Sequence, residues 1–128
     1  MIIVQAAISY FVIVFVAGFA LGTIRTLIIV PQTGELAAVA MELPLMIAVS
    51  WWACGVVVKR LKPASEVPSR IAMGVIALSL LLLAEIVVSL GLGLTLAQHL
   101  ALYATTPVQL GLFGQLLFAL FPLFRMKP

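Results

Sequence analysis

Four long apolar runs leave this chain few ways to fold. They cover residues 2–24, 36–58, 71–96 and 107–124. The third, IAMGVIALSLLLLAEIVVSLGLGLTL, holds a single charged side chain, Glu85. At a rise of about 1.5 Å per residue, about 20 helical residues cross a hydrocarbon core about 30 Å thick. The first three runs pass that length and the fourth meets it narrowly. In lipid, every backbone amide and carbonyl needs a partner within the protein, so only helices and closed barrels span. The runs are continuous rather than alternating, which argues against strands. The expected fold is all-α: one integral membrane domain over residues 1–128, a bundle of four transmembrane helices.

Composition points the same way. The chain is 65% hydrophobic and 9% charged, against roughly 25% charged in soluble domains. A soluble chain this short could not hide so much apolar surface. The net charge of +3 is gathered in short clusters beside the runs and forms no basic face, so nucleic acid is not an expected partner. Cys54 is the one cysteine; it excludes an internal disulfide and reads as a small packing residue.

The connections carry turn and cap signals. PQTG at 31–34 breaks the chain before the second run, with Thr33 as helix cap and Glu35 in the first turn, where the helix dipole favours an acid. KRLKPASEVPSR at 59–70 joins the second run to the third. In YATTP at 103–107, Thr106 is the expected cap and Pro107 the first helical residue. With four spans, Lys59, Arg60, Lys62, Arg70, Arg125 and Lys127 share one side, and Arg25 alone lies on the other. The positive-inside rule then puts both termini in the cytoplasm of a plasma (inner) membrane protein. The first run is read as an uncleaved span, because no Lys or Arg precedes it and it is longer than a signal core.

Depth singles out the candidate site. Counted from Lys59, Arg70 and Arg125, the polar residues Glu42, Glu85 and Gln109 each lie about 22–25 Å up their helices. That level is in the outward half of the membrane. A charge facing lipid there costs several kcal/mol, so the acids are expected to face the bundle interior. Glu35, Ala38, Glu42, Met46 and Val49 fall on one helical stripe, and Ser89 sits one turn above Glu85. Arg25 lies just above this level and has a stem long enough to reach down. The expected site is a polar column opening outward, with Glu35 and Arg25 at the rim and Glu42, Glu85 and Gln109 below.

One guanidinium cannot neutralise two buried acids, so one of them is expected to hold a proton at neutral pH. The structural alternative is that each acid ties helices together, through Arg25 or through Gln109, Ser89 or Thr95. Pro44 removes the amide that would bond Ala40 and introduces a kink beside Glu42. His99 reads as a solvated residue of the outer loop, and Trp51 and Trp52 as anchors near the inner interface. Gly18 with Gly22, and Ser89 with Gly93, have the spacing of close helix contacts.

No catalytic motif and no metal-ligand spacing is present, and nothing specifies a cofactor. Three functions remain open: proton-linked binding or transport of a polar ligand, an accessory or assembly subunit of a larger membrane complex, and a lipid-active membrane enzyme. Membrane lipid is the certain neighbour. A chain of 128 residues is short for a transporter, which suggests a homo-oligomer or a larger complex.

Overall fold

The computed structural model describes residues 2–63 and 66–124. Among them there is no strand. Four helices are long and apolar enough to cross a membrane: α1 (Ile2–Thr33), α2 (Glu35–Leu61), α3 (Val67–Gly91) and α5 (Thr106–Phe124). A short helix α4 (Leu96–Ala101) and a 3-10 turn (Leu102–Ala104) lie between α3 and α5. The protein is an integral membrane helical bundle.

The helix ends differ from expectation, each for a local reason. α1 does not stop at Ile24. It widens into a π turn at Arg25–Ile29, where the Val30 amide bonds Arg25, and resumes as α-helix through Pro31 to Thr33. Pro31 has no amide, and its ring would crowd the carbonyl four residues back. A wide turn ahead of it relieves that conflict. Thr33 is not the cap of α2, because its hydroxyl bonds back to the Ile29 carbonyl at 2.9 Å. Gly34 occupies the cap position with φ 88°, a conformation glycine adopts freely.

α3 stops at Gly91 rather than 96, in a Schellman turn. Gly93 takes φ 97°, and the Leu94 amide bonds the Ser89 carbonyl at 3.0 Å. Gly93 is therefore a helix terminator and not a helix-contact residue. Thr95 and Gln98 form a capping box that starts α4, so Thr95 is unavailable to the acids. At the fourth run the cap shifts by one residue. Thr105 is extended and accepts the Gln109 amide, and Thr106 is already helical.

Around the bundle the order is α1, α2, α5, α3. α1 packs on α2 and α3, and α5 packs on the same two, so α2 and α3 stand on a diagonal. Glycines set the close approaches. Gly74 of α3 lies against the Ala119 carbonyl of α5, Gly114 of α5 against Leu43 of α2, and Gly18 of α1 against Met46 of α2. The Gly18 contact is thus made within the chain.

The contiguous core lies in the half of the bundle next to the α2–α3 connection. It is built from Ala7, Tyr10, Cys54, Val58, Met73 and Phe118 with their neighbours. Cys54 is buried there, as a packing residue should be. Pro122 leaves the Phe118 carbonyl without its usual amide partner. The Tyr10 hydroxyl takes that place, donating to Phe118 at 2.6 Å while the two rings stack 4.2 Å apart. A freed acceptor buried in lipid costs several kcal/mol, so this bond ties α1 to α5 across the bundle.

Arg70 departs most from its expected place. It is not a loop cation. It is fully buried in the first turns of α3 and donates to the Pro122 carbonyl at 3.1 Å and to Pro63 at 3.5 Å. Lys59 and Arg60 close α2, and Lys62 follows in a left-handed conformation with φ 49°. Arg125 and Lys127, also assigned to this side, lie outside the described residues. Trp51 and Trp52 are 41% and 62% exposed on the bundle surface, where anchoring tryptophans would be found.

Candidate functional site

The polar groups collect in the other half of the bundle, and they form two stations. The first joins α1 to α2. Arg25, at the start of the π turn, donates from Nη1 to Glu42 Oε2 at 2.5 Å. Their side chains are 29% and 11% exposed. Side chains lean toward the N-terminus of their own helix. In antiparallel neighbours Arg25 therefore leans down and Glu42 up, and they meet. Gly22, one turn before Arg25, leaves space beside the guanidinium.

The stripe foreseen on α2 does face α1: Ala38 is buried, Glu42 holds Arg25 and Met46 lies on Gly18. Glu35 is in the first turn of α2 and exposed, with no ion pair among the described residues.

The second station joins α3 to α5. Gln115 Nε2 donates to Glu85 Oε2 at 2.6 Å. Gln109, the amide expected near the acids, instead donates to the Tyr103 carbonyl at 3.1 Å and is exposed. The depth count failed here for two reasons. Arg70, its zero on α3, is buried in the bundle and marks no membrane boundary. The count also followed backbones, whereas Glu85 leans down α3 and Gln115 leans up α5. An amide that meets Glu85 must start several residues deeper than one at equal backbone height. The lean of each side chain calls for an amide deeper than Gln109, and the stagger of α5 against α3 makes Gln115 that amide.

Above Glu85 the station continues. Ser89 Oγ lies 2.6 Å from His99 Nδ1. His99 is 6% exposed, so the solvated loop histidine of the sequence reading is in fact buried. α4 folds back onto α3 and carries it there. The Tyr103 hydroxyl is 3.5 Å from His99 Nε2, and the two rings meet edge to face at 5.5 Å. Burial, and then Glu85 whenever it is ionised, push the Tyr103 phenol above its usual value. Ser89, His99 and Tyr103 thus form one hydrogen-bonded set at the end of the bundle, one turn above the Glu85–Gln115 pair.

The structure does not bring the two acids into contact. They stand on diagonal helices, and each is bonded to a different neighbour. Pro44 sits inside α2 and lines a groove of about 630 Å³ between α2 and α5, with Leu43, Ile47, Trp51, Leu110 and Phe121. Its lining is apolar and includes neither acid. Among the described residues no cluster of three His, Cys, Asp or Glu side chains could hold a metal ion. No protein-family model matches this chain, and no curated protein or solved structure matches it significantly.

Proposed function

We propose that this is a plasma-membrane protein, with both termini in the cytoplasm, that couples a bound proton on Glu85 to the binding or transport of a polar ligand at the outer half of its bundle. The observation that carries the reading is the division of partners. Arg25 is committed to Glu42, so among the described residues Glu85 has only a neutral amide as partner. A hydrogen bond to a charged group contributes about 1.5–3 kcal/mol. Holding an unpaired ion away from water costs several kcal/mol. The amide does not cover that cost, and the neutral acid is the cheaper state.

Arg25, 29% exposed, is the cation within reach of an anionic group on the ligand. Glu35 sits at the mouth and Gln109 beside the outer turn. The subunit reading is less favoured, because each half-buried acid already has a partner inside the chain and needs no cation from another protein. The lipid-active enzyme reading would rest on Arg25 alone.

Infrared spectroscopy of the protein in lipid nanodiscs tests the proton. A protonated carboxyl band is expected at pH 7 and should disappear in Glu85→Gln while persisting in Glu42→Gln. Two ionised carboxylates at pH 7 would refute the proposal. The orientation rests on Lys59, Arg60 and Lys62 at one end against Arg25 at the other. A C-terminal reporter should be active only in the cytoplasm, and periplasmic activity would reverse the threading.

A further inference from the structure

We propose that the groove between α2 and α5 holds one acyl chain of an anionic phospholipid, whose phosphate sits on Lys59 and Arg60 at the end of α2. The groove is apolar, about 630 Å³ in volume and open on the surface of the bundle, where spanning helices meet lipid. Toward the α2–α3 connection it is walled by an aromatic corner. Trp51 of α2, 41% exposed, meets Phe121 of α5 edge to face at 5.1 Å.

Pro44, Ala48, Trp51, Gly55 and Lys59 follow one another at helical spacings of three and four residues, so they form one stripe along α2. The stripe begins in the groove and ends on a cation. Lys59 also lines, with Arg60 and Val56, a recess of about 380 Å³. It therefore stands where the apolar stripe stops and a basic seat begins. Lengths agree with a lipid. Trp51 is about 12 Å from Lys59 along the helix and Ala48 about 16 Å. One leaflet holds about 15 Å of hydrocarbon. A chain hung from a phosphate at Lys59 runs past Trp51 and ends in the groove near Ala48.

The seat is not neutralised from within. Lys59, Arg60 and Lys62 are exposed and make no ion pair among the described residues. Of the four acids in the chain, Glu35, Glu42 and Glu85 belong to the other half of the bundle, and Glu66 alone lies at this end. Three cations beside one acid select an anionic headgroup, and a phospholipid brings that charge and an apolar tail in one molecule. A second copy of the chain is the rival occupant. A two-fold dimer through this groove, with both copies threaded alike, would bring two sets of Lys59, Arg60 and Lys62 together at the same end. Like charges juxtaposed across an interface disfavour it.

Trp51 reports the occupant. The chain has two tryptophans, so Trp52→Phe leaves Trp51 alone. The full chain carrying Trp52→Phe is placed in proteoliposomes with phosphatidylglycerol or phosphatidylcholine brominated along one acyl chain. Quenching of Trp51 measures how the two lipids compete for the groove. Phosphatidylglycerol should be preferred. A cation near an anionic lipid is worth about fivefold in affinity, so Lys59→Gln should cut the preference by about fivefold and Lys59→Arg should keep it. Lys59 is exposed, and both variants should retain the bundle.

Equal quenching by the two lipids overturns the headgroup contact, and so does a preference unchanged in Lys59→Gln. Quenching by neither lipid means that protein covers the groove, and overturns the site as a whole.

Discussion

Gly74→Leu will not yield a folded bundle, and Gly74→Ala will destabilise it by about 3 kcal/mol or more. A β-carbon at Gly74 would overlap the backbone carbonyl of Ala119. Side chains can rotate away from such a collision, but a helix backbone cannot. Here α5 is also held on both sides of the contact. Phe118 is bonded by Tyr10, and Pro122 is bonded by Arg70. Moving α5 outward to admit a methyl group would stretch both bonds at once.

In lipid the helices gain little from the hydrophobic effect, so close packing and interhelical bonds carry most of the association. Gly111→Ala is the control. Nothing lies within 4 Å of a β-carbon there, and alanine should stabilise the helix by up to about 1 kcal/mol. Unfolding in mixed detergent micelles reads both changes. If Gly74→Ala and Gly111→Ala unfold alike, then α3 and α5 are not in the contact described.

The second large effect concerns the ion pair. Arg25→Gln should cost about 2–3 kcal/mol, and the double variant Arg25→Gln with Glu42→Gln should cost less than Arg25→Gln alone. Losing one partner of a fully buried pair costs about 3–5 kcal/mol, because the other charge stays buried and unpaired. Arg25 is 29% exposed, and solvent screening lowers the figure accordingly. Replacing Glu42 as well removes the stranded carboxylate, whose side chain is only 11% exposed. The sign of this difference is the test. A double variant weaker than Arg25→Gln would mean that Glu42 reaches water once Arg25 is gone.

Both results bear on how the site was assembled. That Arg25 reaches down toward the acids was legible in the sequence, because a long cation above them has one direction in which to reach; that its partner is Glu42, on the following helix, was not. Glu85 could be placed at depth but not given its partner. Gln109 and Gln115 sit on the same helix, and only the stagger between α3 and α5 selects the second. That stagger is set where Gly74 meets Ala119. His99 was misread for a similar reason. Nothing in LAQHLA says that the segment folds back onto α3; the Schellman turn at Gly93 and the capping box at Thr95 aim it there.

The number of spans, their approximate limits and the gathering of cations toward one end of the bundle were determined by the sequence alone. These properties add up residue by residue along one helix, whatever its neighbours are. Lipid demands apolar length and internally bonded backbone, and both are visible in the letters. Tertiary structure alone decided that α2 and α3 lie on a diagonal, that the acids take separate partners, and that Arg70 is buried. Those outcomes depend on which helices adjoin, how far they slide past one another, and which way each side chain leans. They are relations between segments, and no property of a single segment contains them.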